Sequence, residues 1–210
     1  MCGIVGIVNN RIEHQVSELL LKKMADVVQH RGPDGEGFFC HKNIGLGQRR
    51  LSIIDLESGK QPIFNEDKSI VLVFNGEIYN YIELRESLKK KKHNFYTLSD
   101  AEVIIHAYEQ WGYDCVNKLN GMWAFAIWDN NINELFISRD RLGQKPLYYT
   151  KTKNTFLFAS EIKSLIAHGI PLTPNYELLE IYLSLGYIPA PYSFFKNVYK
   201  PVLKTNKKPE

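Results

Sequence analysis

Three cysteines in 210 residues, an odd count without any Cys-x-x-Cys pair, leave no disulfide framework and no cysteine-based zinc site to be read. That usage fits a reducing cytoplasm. Long apolar runs are missing as well. The longest, around 122–128 and 178–185, are far too short to span a bilayer, and no basic segment with an apolar stretch behind it marks the start for secretion. Charge of one sign is scarce. A formal net charge of +3 is too small to point to nucleic acid, and much of it sits in Lys89-Lys90-Lys91-Lys92 and in Lys204, Lys207 and Lys208. The first of these runs reads as a solvated helix end. No Walker-type loop, internal repeat or low-complexity tract occurs. The six histidines, His30, His106 and His168 among them, read as surface or satisfied residues rather than metal ligands, and Cys40 and Cys115 as inert packing residues. What remains is an ordinary globular composition, long enough for one domain with a sizeable core, or for one domain plus an extension.

The apolar run at 4–8 reads as a buried strand almost at the chain start, and Val16, Leu19, Leu20, Met24, Val27 and Val28 give helical spacing over 16–29. Gly32-Pro33-Asp34-Gly35 is turn chemistry, followed by β-rich runs at 37–40, 44–47, 51–54 and 70–74. Asn75-Gly76 reads as a tight turn directly after the last run. Helical spacing returns at 80–90 and 101–111, with Ser99-Asp100 as the cap of the second. Strands at 122–129, 134–138, 147–150 and 156–159 come next, then helices at 162–167 and 176–185, and Pro189, Pro191 and Pro201 interrupt regular structure in the remaining segment. Strands, then helices, then strands with hairpin spacing predict an α+β fold of antiparallel sheets covered by helices, rather than alternating β-α-β units.

Cys2 follows the initiator Met directly, and removal of Met1 would leave a thiol and an α-amine on one residue. Their reference pKa values, about 8.5 and about 7.7–8.0, let the amine serve as general base for the thiol, through a water. The strand behind Cys2, flanked by Gly3 and Gly6, would hold this end against the core. Asn75 and Gly76 could supply a side-chain amide and a backbone N–H to an oxyanion; the bland reading of the pair is an ordinary turn.

Cys2-Gly3-Ile4-Val5-Gly6, His30-Arg31-Gly32-Pro33-Asp34, Arg50-Leu51-Ser52-Ile53-Ile54-Asp55, Asn75-Gly76-Glu77-Ile78-Tyr79-Asn80 and Ser99-Asp100-Ala101-Glu102 appear in this order. Gly121-Met122-Trp123-Ala124-Phe125-Ala126, Arg139-Asp140-Arg141-Leu142-Gly143 and Ala159-Ser160-Glu161 follow. The ordered set, from residue 2 to about residue 200, resembles the class II glutamine amidotransferase domain, and most of all the glutaminase half of asparagine synthetase. The resemblance implies an N-terminal-nucleophile hydrolase fold, a four-layer αββα sandwich of two antiparallel sheets between helices. It implies catalysis by Cys2, Asn75 and Gly76: attack of Cys2 on the glutamine side-chain amide, a thioester, release of ammonia and hydrolysis to glutamate. Arg50 would grip the substrate α-carboxylate, Asp100 and Glu77 the α-ammonium, and the backbone of Leu51, Ser52, Ile53 and Ile54 would line the pocket. A surface salt-bridge set is the bland reading of Arg50, Glu77 and Asp100. His30 to Asp34 would shape a loop near the site, and Arg139-Asp140-Arg141 a hairpin or a domain interface.

Two departures stand out. Gln48 occupies a position where the resembled family usually has histidine, and no Ser-Gly-Gly-x-Asp-Ser segment for binding ATP pyrophosphate occurs. The expected organisation is a glutaminase domain over 2–168, a helix and linker over 169–200 leading towards a missing synthetase domain, and a divergent tail over 201–210. The glutaminase step would need no cofactor and no metal; ATP and Mg would belong to the absent synthetase domain. The expected partners are L-glutamine and that missing or separate ATP-dependent domain, with no nucleic acid and no membrane, and a homodimer stays open. Truncation is the expected origin, leaving a face exposed around Arg141, 160–165 and 182–187. The alternatives are a module feeding another amidotransferase partner, such as one acting on sugar phosphates or phosphoribosyl diphosphate, a catalytically silent interaction fragment, or a non-functional gene fragment.

Overall fold

The computed structural model describes residues 1–52, 59–202 and, by backbone, 204–207. In chain order the elements are β1 (Gly3–Asn9), α1 (Glu18–Asp26), β2 (Gly35–His41), β3 (Ile44–Arg50), β4 (Ile63–Phe64), β5 (Ile70–Ile78), α2 (Tyr81–Lys90) and α3 (Glu102–Trp111). They continue with β6 (Gly121–Asp129), β7 (Glu134–Arg139), β8 (Tyr148–Lys151), β9 (Thr155–Ala159), α4 (Ile162–His168), α5 (Leu179–Leu185) and β10 (Lys204–Lys207). The strands form two antiparallel sheets, one in the order β2-β3-β1-β9-β8 and the other β10-β7-β6-β5-β4.

Alternation along the strands sets the layers, because neighbouring side chains point to opposite faces. Ile4 and Val8 of β1 join Ile44 and Leu46 of β3, Val71 and Val73 of β5 and Ala124, Ala126 and Trp128 of β6 in one buried cluster between the sheets. The odd neighbours Val5 and Ile7 pack instead with Leu21, Met24 and Ala25 of α1 and Leu165 of α4. Across the second sheet, Leu72, Phe74, Trp123, Phe125 and Ile127 meet Leu84 and Leu88 of α2 and Ile104 and Ile105 of α3. The result is the expected α+β sandwich of four layers, helices, sheet, sheet, helices. Gly6 lies on the inter-sheet face opposite Phe158 of the neighbouring strand β9, where a Cβ would collide with the Phe158 ring, so glycine is what leaves that ring its place over β1.

Local readings shift where tertiary pairing competes with local preference. The helix expected over 16–29 is α1 alone; Ser17 caps it by accepting the Leu20 N–H at 3.3 Å, and Gln29–Arg31 is a 3-10 turn. Asn75-Gly76 is not a turn: β5 runs on to Ile78, because β6 pairs with it as far as Ile78↔Gly121, and ladder bonds outweigh the dipeptide's turn preference. The strand expected at 51–54 is absent at 51 and 52, and 53 and 54 lie outside the described residues. Ser99-Asp100 does not form the side-chain cap on α3; Ala101 stands at that position, and the Asp100 carboxylate turns to the Ile78 N–H. Cys40 is exposed on the edge strand β2 rather than packed, while Cys115 is in the core. Ser160, Ser164 and Leu165 are fully buried, so little of the exposed face expected at 160–165 remains, while Arg141 and the expected stretch 182–187 are exposed. No helix among the described residues is long and apolar enough to cross a membrane.

Candidate active site

Cys2 stands at the entry to β1, an inner strand held between β3 and β9. The Ser160 Oγ accepts the Ile4 N–H at 2.9 Å, and the Ser160 N–H donates to the Ile4 carbonyl at 2.8 Å. Arg31 reaches back from the 3-10 turn and donates through Nε to the Cys2 carbonyl at 3.0 Å, with Glu161 holding its other end at 3.0 Å. The chain end is thereby fixed on both sides. Leu51 brackets the thiol: its N–H lies 3.4 Å from Sγ and its carbonyl 3.6 Å. Asp34 shapes this segment, its N–H donating to the Arg50 carbonyl and its carboxylate accepting the Ser52 N–H at 2.8 Å. Burial pushes the Cys2 thiol up, which outweighs the downward pull of the Leu51 amide, the N-terminal charge, Arg50 and Arg31. A thiol so placed needs a base before it can attack.

A cleft opens in front of Cys2. Arg50, Leu51, Asn75, Gly76, Glu77 and Asp100 line it together. Ser52 lies instead in an adjoining depression with Arg50, and Ile53 and Ile54 fall outside the described residues. Asn75 is 1% exposed, and its Nδ2 finds no hydrogen-bond partner among the described residues. A buried donor left unpaired is unusual in a folded protein.

The ladder of β5 explains the second donor. Trp123, opposite Gly76, sends its N–H to the Asp140 carboxylate and receives the Asp140 N–H at its carbonyl. Gly76↔Trp123 is therefore a non-hydrogen-bonded pair, and the Gly76 N–H points away from β6. On that side β4 pairs only with Leu72 and Val71, so the edge beyond is open. Phe74 and Ile78, the residues facing the same edge, are capped by side chains: Phe74 by Gln61 and Gln48, Ile78 by Asp100 at 2.9 Å. Gly76 lies between them, turned to the cleft. Any side chain at 76 would meet the Met122 carbonyl and the Phe74 ring, so close packing on β6 requires this glycine.

Arg50 and two acidic residues, Glu77 and Asp100, lie together in the cleft lining. Burial pushes the Asp100 carboxyl up, more than the Ile78 N–H draws it down, and Glu77 adds to the rise. An ammonium bound between the two carboxylates would relieve both effects.

Lys145 escaped sequence reasoning. It is 5% exposed, lines the cleft, and points its Nζ at the Met1 Sδ, 3.3 Å away. The Arg139-Asp140-Arg141 motif builds the turn that delivers it. Asp140 accepts the Gln144 and Lys145 N–H groups, and Arg139 donates to the Lys145 carbonyl at 2.7 Å. Nothing in that motif's spacing shows that the far side of its turn faces Cys2. Gln61 was missed in the same way, and Gln48 stood out only as a departure from the resembled family, since their contacts to Phe74 cross from other parts of the chain.

Among the described residues one histidine-containing group has metal-ligand chemistry, His93, His106 and Glu109, none of which lines the cleft. His106 lies fully buried with Nδ1 2.8 Å from Glu109 and Nε2 3.6 Å from Glu102. Burial alone would push its imidazole down, but the two carboxylates outweigh it and raise it to about 9.

Known proteins share both the sequence and the fold. A family model described as "Glutamine amidotransferase domain" matches residues 1–205. The chain is 44% identical over 202 residues to asparagine synthetase [glutamine-hydrolyzing] 1 of Bacillus subtilis, covering 95% of this chain and 32% of that protein. It is 50% identical over 170 residues to asparagine synthetase [glutamine-hydrolyzing] 2 of the same organism, covering 80% of this chain and 22% of the relative. The chain thus spans a third or less of the length of these relatives. In fold it is similar to the glutamine phosphoribosylpyrophosphate amidotransferase of B. subtilis, with a TM-score of 0.65 at 21% identity, over 80% of this chain and 44% of that one. Sequence and fold agree, and the chain belongs to the glutamine amidotransferase domain family.

Proposed function

We propose that this chain hydrolyses the side-chain amide of L-glutamine to glutamate and ammonia, with Cys2 as nucleophile after removal of Met1, as the ammonia-supplying half of an asparagine synthetase. The observation that carries this reading is the pairing of a fixed thiol with the acceptor-less Asn75 amide and the outward Gly76 N–H in one charged cleft. Removing Met1 clears its side chain from the cleft lining and frees the Cys2 α-amine. The amine takes the thiol proton, directly or through a water, and the thiolate adds to the amide carbon. The carbonyl electron pair moves to oxygen, where Asn75 Nδ2 and Gly76 N–H receive the charge. Collapse breaks the C–N bond, and ammonia leaves with the proton held by the α-ammonium. A glutamyl thioester remains, which water hydrolyses with the amine again as base. Arg50 holds the α-carboxylate, and Glu77 and Asp100 the α-ammonium. These groups suffice for the step as proposed; ATP and Mg would serve the synthetase half.

The consumer of the ammonia, in this reading, is an ATP-dependent synthetase unit, joined to this chain or separate from it. The relatives' greater length and names support that choice. So does a depression where Leu142, 85% exposed, lies with the exposed Tyr187 and Val202. The three free thiols suit a cytoplasmic setting.

Purified protein is expected to release ammonia from glutamine, and Cys2→Ala, or a form retaining Met1, to release none. Full turnover by the Met1-retaining form would contradict the mechanism.

A further inference from the structure

Phe74 is the residue before the oxyanion pair, and both of its outward backbone groups are held by glutamines. Gln61 accepts the Phe74 N–H through Oε1 at 2.7 Å, and Gln48 donates from Nε2 to the Phe74 carbonyl at 3.0 Å. The two come from different places. Gln48 is 1% exposed on β3 of the other sheet, opposite Ile4 of β1, two residues from Cys2. Gln61 sits beyond β4 and lines the cleft, its own carbonyl pressed so closely on Gly37 of β2 that no Cβ fits there. β4 ends two residues short of Phe74, so without these side chains that stretch of β5 would have a free edge.

The carbonyl that Gln48 holds belongs to the peptide whose nitrogen is that of Asn75. Tilting that peptide swings the Asn75 side chain and, one peptide on, the Gly76 N–H. The bonds of Gln48 also tie the oxyanion strand to the sheet that carries Cys2. We propose that Gln48 and Gln61 form a donor–acceptor clamp on Phe74 that sets the aim of the oxyanion donors relative to Cys2, making both positioning residues. This rests on the glutaminase reading above. The bonds have a fixed polarity: position 48 must donate and position 61 must accept. Edge capping alone would support folding but would not require the catalytic rate to follow that polarity.

The test compares Gln48→Met, Gln48→His, Gln61→Met and Gln61→Glu in the full chain with Met1 removed. The clamp predicts that each Met variant loses about 10- to 100-fold in kcat, with KM for glutamine within about twofold, because donor aim rather than substrate grip is lost. Gln61→Glu keeps an acceptor and Gln48→His an N–H donor, so both retain most of kcat. Amide hydrogen exchange supplies a readout that does not depend on turnover. The Phe74 N–H should exchange at least about 10-fold faster in Gln61→Met than in the unsubstituted protein. Met variants that fold and turn over like the unsubstituted protein overturn the clamp, as does unchanged Phe74 exchange. If a Met variant does not fold, Gln48→His and Gln61→Glu decide, since loss of kcat in folded forms of these would contradict the required polarity. Absence of turnover in the unsubstituted protein overturns the glutaminase reading instead, and the exchange result then stands alone for or against the clamp.

Discussion

At Asn75 a buried amide donor stands without an acceptor among the described residues, an arrangement that costs about 1–3 kcal/mol while nothing fills it. Asn75→Ala should therefore lower kcat for glutamine about 10²- to 10³-fold while thermal stability moves little, because no internal hydrogen bond of that nitrogen is broken. Parallel kcat and melting measurements check this, and a large fall in melting temperature would assign Nδ2 a structural partner instead. Asp100 gives a pH dependence. Its carboxyl lies above the ordinary range, so as pH falls through that raised value the carboxylate is neutralised and its hold on the α-ammonium is lost. KM should rise towards acid pH, and Asp100→Asn should raise KM and flatten the profile. For stability the sign is opposite. A folded-state carboxyl pKa above the unfolded value of about 3.9 means the folded form binds the proton better, so the penalty present at neutral pH is relieved as pH falls through the raised value. Cys2 stood out in the sequence by its position, whereas Arg50, Asn75 and Asp100 were assigned only through the resemblance, their residue types alone suggesting a surface ion-pair set and a turn; the structure brings all four to one cleft. The contacts of Gln48, Gln61 and Lys145 were not legible, because they are made across the two sheets and around a turn, at no fixed spacing.

The elements show the same division. The apolar runs at 4–8 and 122–129 and the helical spacing of 80–90 and 101–111 are local patterns, and each became the element it indicates. β4 and β10 are two and four residues long and exist through pairing with β5 and β7, which no local pattern announces. Asn75-Gly76 is the instructive failure. Its turn preference is local, but β5 continues through it, and this extension places the oxyanion donors on an open strand edge rather than at a hairpin tip. Helix α3 adds a stability prediction. Glu102 holds the Tyr96 and Thr97 N–H groups at 2.8 Å and faces His106, which Glu109 meets from the other side. The His106 value of about 9 exceeds the unfolded value of about 6.5, so its contribution is fully present below about 6.5 and is lost as pH rises through about 9. Unfolding free energy should fall by on the order of 1–3 kcal/mol across that window, and His106→Gln should flatten the fall. Denaturant titrations from pH 6 to 10 measure it, and a wild-type curve parallel to that of His106→Gln would remove His106 as the source.

On the scale of the whole molecule, the two sheets have distinct tasks. In the proposed mechanism the first carries the nucleophile Cys2 at the start of an inner strand, and the second carries Asn75, Gly76 and Glu77 on β5 and, through the loop before α3, Asp100. Packing the sheets face to face brings these parts together, which is why neither sheet forms the site alone. The central claim is that the glutamyl group passes through Cys2, and it can be read on the intact protein. Met1-processed protein mixed with glutamine and quenched in acid during turnover should carry one hydroxylamine-sensitive glutamyl thioester, on the peptide that begins with Cys2. Steady ammonia release with no adduct on that peptide, and undiminished release by Cys2→Ala, would contradict the account.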